Sequence, residues 1–359
     1  MIYVKKILVV DDSALMRRIL CDIINSDERF QVVEYAVNGL EALELIGTKQ
    51  YDAVVLDINM PKMTGLQLLK ELKNRKIETN VIMASTDTVD GAQVVMDALE
   101  LGAFDFIHKP YNTVELRKES FQKKLLQILD AATQSQIKNL ILSKPVTPQN
   151  TAPRIMKFVE KHVSDFKENK IVAIASSTGG PKALQQIIPL LPENLRVPVM
   201  IVQHMPAGFT KSFADRLNAL SKIEVKEAEE GDVLEAGKVY LARGGVHMNA
   251  VEKAGRVFIH YSDEPSREGV KPCANYMYES LMKCSYEEIE CVVLTGMGSD
   301  GTKGIAHLKK SKKIHVIAQE KSTCAVYGMP RSVVEAGLAD QVLGIEKIAQ
   351  EIILKVGVK

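Results

Sequence analysis

Twice along this chain, short apolar runs alternate with segments of helical periodicity, and that alternation constrains the fold more than any other feature. In the first third, residues 6–10, 31–36, 53–56, 81–84 and 104–107 read as buried strands. Residues 13–25, 39–46, 66–72, 91–99 and 113–129 carry apolar side chains at helical spacing, as Leu40, Leu43 and Ile46 do. Five such strand–helix units form a parallel sheet with helices on both faces. From 130 to 168 the pattern lapses, and three prolines within 143–153 mark a linker. The alternation then resumes, with strands expected at 171–175, 199–203, 291–295 and 314–318. Helices are expected at 182–191, 211–220, 275–282, 302–310 and 345–353. Residues 223–262, rich in β-branched side chains and glycine turns, are expected to insert short strands, some antiparallel. A chain of 359 residues suits two such domains.

Composition removes several classes of function. Lys+Arg number 46 against 45 Asp+Glu, so there is no basic footprint for nucleic acid. Trp is absent and aromatics are 5%, which disfavours stacking on single strands. No apolar run reaches membrane-span length, and MIYVKKILVVDD lacks a signal peptide's cleavage pattern. Five cysteines without a C-x-x-C pair read as reduced thiols, hence a cytoplasmic protein without membrane insertion.

Polar residues gather where the strands of the first half end. Asp11 and Asp12 follow the first strand, Asp57 the third, Ser85 the fourth and Lys109 the fifth. In a doubly wound sheet these ends converge on one crevice. Three carboxylates there suit a hard cation such as Mg²⁺, beside which a carboxylate can accept a phosphoryl group. Single aspartates at such positions often only cap helices; polar groups at four strand ends exceed what capping requires. DD, LDINMPKMTG, MAS and KP together resemble a two-component receiver domain. The resemblance implies Asp57 as phosphoacceptor, Asp11, Asp12 and Asp57 as Mg²⁺ ligands, Ser85, Phe106 and Lys109 as switch residues, and a histidine kinase as phosphodonor. The bond between Lys109 and Pro110 is a cis candidate, because X-Pro bonds alone adopt cis cheaply.

In the second half, a strand runs into SSTGGP at 176–181. Hydroxyls followed by two glycines and a helix-starting proline make a tight strand-to-helix turn, which serves a nucleophile or simply an anion site. His204 follows the next strand, and Asp300 lies in LTGMGSDG after a later one. The glycines at 296 and 298 suit a loop that turns backbone N–H groups inward. Residues alone leave a Ser–His–Asp triad and ordinary structural roles both open.

SSTGGPKAL, VQHMPAGFTKSFADRLN, VKEAEEGD, LTGMGSDG and VYGMPRSV resemble the catalytic domain of the chemotaxis protein-glutamate methylesterase/protein-glutamine glutaminase family, which also carries an N-terminal receiver. The resemblance implies Ser177 as nucleophile rather than Ser176, His204 as general base and Asp300 as its orienting acid. It places Met297 at the oxyanion and Thr178 beside the nucleophile, with His247 a further cleft residue, and it requires no cofactor in that domain. The implied substrates are glutamyl methyl esters, and glutamines for deamidation, on cytoplasmic helices of chemoreceptors. Phosphorylation would relieve a blockade of Ser177 by the receiver. The expected boundaries are 1–129 for a flavodoxin-like receiver, 130–168 for the linker and 169–359 for a doubly wound, mostly parallel hydrolytic domain. Ser176 stands where the family has alanine, and residues 269–275 depart from its His-Arg-Pro-Ser-Val-Asp pattern, so Asn275 reads as a helix cap or a substrate contact. A non-catalytic adaptor with a degenerate second domain is the rival reading.

Overall fold

A computed structural model describes residues 3–85, 89–110, 113–116, 118–134 and 169–358. Most of the expected linker, residues 135–168, lies outside the described residues, as do Ile137, Leu140 and Ile141 of the helix expected to enter it. The chain divides into two compact units, Met1–Ile141 and Leu142–Lys359.

The first unit runs β1 (Lys5–Val10), α1 (Ala14–Asn25), β2 (Phe30–Ala36), α2 (Gly39–Thr48), β3 (Ala53–Asp57), α3 (Gly65–Asn74), β4 (Val81–Ser85), α4 (Val89–Leu101), β5 (Asp105–His108), α5 (Thr113–Leu116) and α6 (Glu119–Gln134). Its parallel sheet has the order β2-β1-β3-β4-β5. The chain goes one way from β1 to β2 and the other way to β3, which opens a crevice at the carboxyl ends of β1 and β3. Local chemistry starts the helices. Ser13 caps α1 by accepting from the Met16 N–H, and Asn38 accepts from Leu40 and Glu41 at α2. Thr64 and Gln67 form a reciprocal capping box at α3.

The second unit has β6 (Lys170–Ser176), α7 (Gly180–Ile187), β7 (Val199–Gln203), α8 (Phe209–Leu220), β8 (Glu224–Glu227), β9 (Lys238–Leu241), β10 (His247–Lys253), β11 (Arg256–Ser262), α9 (Ala274–Ser280), β12 (Glu288–Val293), α10 (Thr302–Leu308), β13 (Lys313–Gln319), α11 (Met329–Glu335), β14 (Gln341–Leu343) and α12 (Ile345–Val356). Seven strands form a wholly parallel sheet, β14-β13-β12-β6-β7-β9-β8. The antiparallel strands expected within 223–262 are β10 and β11, which pair as a separate hairpin, while β8 and β9 join the parallel sheet. Ile171, Ala173 and Ala175 of β6 are buried against Met277, Tyr278 and Leu281. The Tyr278 hydroxyl lies 3.2 Å from both the Ala173 and Val292 carbonyls, bridging β6 and β12. Tertiary burial thus sets α9 under the two strands where the sheet order reverses.

The cis bond among the described residues is Lys271-Pro272. The bond between Lys109 and Pro110, the cis candidate, is not cis. Even before proline the trans form is favoured by about 0.5–1 kcal/mol.

Candidate active site

In the first unit the four strand ends converge as their positions require. Asp11, Asp57, Ser85 and Lys109 are all buried. Lys109 Nζ lies 3.0 Å from Asp11 Oδ2 and also pairs with Asp57 Oδ1. The Lys109 N–H donates to the Ser85 carbonyl at 2.6 Å, which ties β5 to β4. Burial pushes the Asp57 carboxyl above its ordinary value despite the Lys109 charge. For Lys109 burial acts downward, but Asp57 and Asp11 hold its pKa above the usual one, so the ammonium stays protonated. Ligand oxygens of Asp11, Asp12 and Asp57 lie within 4.8 Å of one another, and Asp12 is exposed. That donor set fits a hard octahedral cation that keeps part of its water shell. Phe106 is buried in β5, paired in register with Met83.

In the second unit, Ser177, His204 and Asp300 follow β6, β7 and β12, adjacent parallel strands around the reversal of strand order. The Ser177 N–H donates to the Thr295 carbonyl at 3.0 Å, and the His204 N–H donates to the Ser176 carbonyl at 3.1 Å. These bonds join the three loops. His204 Nε2 lies 2.8 Å from Asp300 Oδ2, so Nδ1 is the ring nitrogen left for a serine hydroxyl. Among the described residues no hydrogen bond joins Ser177 Oγ to His204; such contacts often tighten only with substrate bound. Asp300 is buried and heavily satisfied. Oδ1 accepts from the Asn275 and Gly301 N–H groups, both at 2.9 Å, and Oδ2 from the Ala274 N–H at 2.6 Å. Burial alone would raise this carboxyl, but its donors, His204 first, hold it below the ordinary value. It is therefore an anion that fixes the imidazole and the start of α9 together.

Thr178 and Met297 flank the serine from two loops. Among the described residues no acceptor takes either N–H, and Thr178 Oγ1 is buried without a partner. The loop after β12 comes so close that a Cβ at Gly296 would lie 2.7 Å from Ser177 Cβ and 2.4 Å from Met329 Sδ. Only glycine permits that approach.

The CheB methylesterase family matches residues 172–352, and the response regulator receiver domain family matches residues 7–120. The chain belongs to the CheB methylesterase family. This CheB family chain is 40% identical over 349 residues to the protein-glutamate methylesterase/protein-glutamine glutaminase of Pyrococcus abyssi, covering 97% of the chain and 92% of the relative. It is 39% identical over 352 residues to the Bacillus subtilis protein of the same name, with 97% of each covered. The crystal structure of the Thermotoga maritima CheB methylesterase catalytic domain is 44% identical, covering 52% of this chain and 99% of that one, with a TM-score of 0.51.

Within this CheB family chain, the end of the divergent segment, Cys273 to Asn275, packs against Asp300, while Gly269 is exposed. Asn275 is fully buried; its Oδ1 accepts from the Gly301 and Gly304 N–H groups at 3.2 and 2.6 Å, and Nδ2 donates to Glu268 at 3.2 Å. It caps α10, not its own helix. Cys273 donates its thiol hydrogen to Asp300 Oδ1 at 3.0 Å, and burial pushes that thiol up to about 12, so it stays a neutral donor. His247 is buried, with Nε2 3.3 Å from the Pro265 carbonyl and its ring 4.6 Å from that of Tyr276. Sequence reading passed over Cys273 and Gln203, although a glutamine ending an otherwise apolar strand beside the histidine is a visible signal. No described helix is long and apolar enough to cross a membrane.

Proposed function

We propose that this chain is a phosphorylation-regulated serine esterase that removes methyl groups from glutamyl methyl esters on chemoreceptors, and deamidates specific glutamines there. The observation that carries the reading is the His204–Asp300 pair beside Ser177 at the reversal of strand order, in a family whose curated relatives bear that enzymatic name. Ser177 Oγ attacks the ester carbonyl while His204 Nδ1 takes its proton. The Thr178 and Met297 N–H groups receive the oxyanion. The proton then passes from His204 to the departing methoxide, and methanol leaves. Water, deprotonated by His204, attacks the acyl-enzyme and regenerates Ser177, leaving a glutamate. With a glutamine substrate the leaving group is ammonia. Asp300 keeps the imidazole in one tautomer and stabilises the imidazolium.

Regulation belongs to the first unit. Asp57 takes a phosphoryl group from a kinase histidine, Lys109 and Ser85 contact its oxygens, and Phe106 responds. A Mg²⁺ held by Asp11, Asp12 and Asp57 would neutralise charge during that transfer. The cytoplasm, where receptor helices and kinase are accessible, is the compartment this reading requires.

Peptide mass spectrometry of a methylated receptor tests the reading. Incubation with the protein should convert methyl-glutamyl sites to glutamate, while Ser177→Ala should leave them methylated. Unchanged receptor with the wild-type protein would favour the adaptor reading.

A further inference from the structure

We infer that Gln203 is a positioning residue that clamps the nucleophile loop to the base loop, and that Ser176 locks the orientation of the clamp. The inference rests on Ser177 and His204 acting as proposed above. Gln203 is the last residue of β7, paired in register with Ser176 of β6, and it is 1% exposed. Its Nε2 donates to the Ser177 carbonyl at 2.9 Å and to the His204 carbonyl at 3.3 Å. One carboxamide thus spans the main chain of both reacting residues. Its Oε1 accepts from the Ser176 hydroxyl at 2.7 Å. A flipped amide would set Oε1 against two carbonyl oxygens, so the network admits one orientation. The Ser176 hydroxyl supplies the third bond.

The clamp also accounts for Gly180. A Cβ there would lie 2.0 Å from Gln203 Oε1 and 2.9 Å from Ser176 Cβ. The turn after the nucleophile therefore leaves room for the amide, and the Gly180 N–H adds its own bond to the Ser177 carbonyl at 2.7 Å. Ser177 Oγ and the imidazole must meet within a hydrogen bond's length, and misplacement of about 1 Å costs about 10²-fold in rate. A group that fixes both backbones relative to each other acts on that separation directly.

The test uses the full chain and methylated receptor. Gln203→Met keeps the length of the side chain and removes both donors; Gly180→Ala keeps Gln203 but displaces it. Both should lower kcat about tenfold or more with KM within twofold. Ser176→Ala, which spares the two carbonyl bonds, should cost less than threefold. A buried variant of matched thermal destabilisation away from the loops, Val172→Ala, separates positioning from scaffold: its kcat per folded molecule should stay at the wild-type value. Ser177→Ala is run alongside. If Ser177→Ala is inactive and Gln203→Met turns over within twofold of wild type, the clamp is overturned and the esterase reading stands. If Gln203→Met loses no more kcat than Val172→Ala, Gln203 is scaffold only. If Ser177→Ala retains turnover, the esterase reading itself fails.

Discussion

The carboxylate of Asp300 accepts from His204 on one oxygen and from the Asn275 and Gly301 main chain on the other, so one side chain serves both chemistry and helix placement. Asp300→Asn turns an amide group toward existing donors and permits the wrong imidazole tautomer. Turnover on methylated receptor should fall about 10³–10⁴-fold, read from initial rates. Its neighbour gives a second test. Asn275→Asp would lose the bond to Glu268 and set another carboxylate beside Asp300. Denaturant unfolding should show a loss of about 1–3 kcal/mol, and an unchanged midpoint would show that the amide's contacts carry no stability. That Ser177, His204, Asp300 and Asp57 gather at strand ends was legible from the apolar runs before them, which Asp57 follows directly and Asp300 only across the loop after β12, because topology brings such positions together. The role of Asn275 was not, because its partner Gly301 lies 26 residues away and nothing local announces the pairing.

At the scale of elements, regular strand–helix units were read from periodicity, and two short ones, β14 and α11, were missed. β14 has only three residues and α11 a single proline-started stretch of seven, and both owe their form to the strands they pack on. The pairing of β12 with β13 contains a titratable contact. His315 Nδ1 lies 2.7 Å from Oε1 of the buried Glu290, with Lys355, Asp340 and Glu351 nearby. The Glu290 bond raises the His315 pKa above its ordinary 6.5, outweighing burial. A group whose folded pKa is raised stabilises fully below its unfolded pKa, and the contribution is lost as pH rises through the folded value. His315→Gln should therefore destabilise the chain most at mildly acidic pH, and the gap in thermal midpoint should narrow as pH rises above 6.5. A gap that is constant across that range would show that the pair contributes no proton-linked stability.

The whole molecule joins two doubly wound units, each with its polar residues at strand ends beside a reversal of sheet order. Under the proposed reading, one crevice holds the phosphoacceptor and the other the nucleophile. The two chemistries are then separable by mutation. Asp57→Asn removes the proposed phosphoacceptor and alters no residue of the second unit. The most direct measurement is the rate of methanol release from methylated receptor, with and without a small phosphodonor, for the wild-type chain, Ser177→Ala and Asp57→Asn. The account predicts release by the wild type that rises with the phosphodonor, none above background for Ser177→Ala, and basal release unmoved by the phosphodonor for Asp57→Asn. Equal release by the wild type and Ser177→Ala, or a full phosphodonor response in Asp57→Asn, would contradict it.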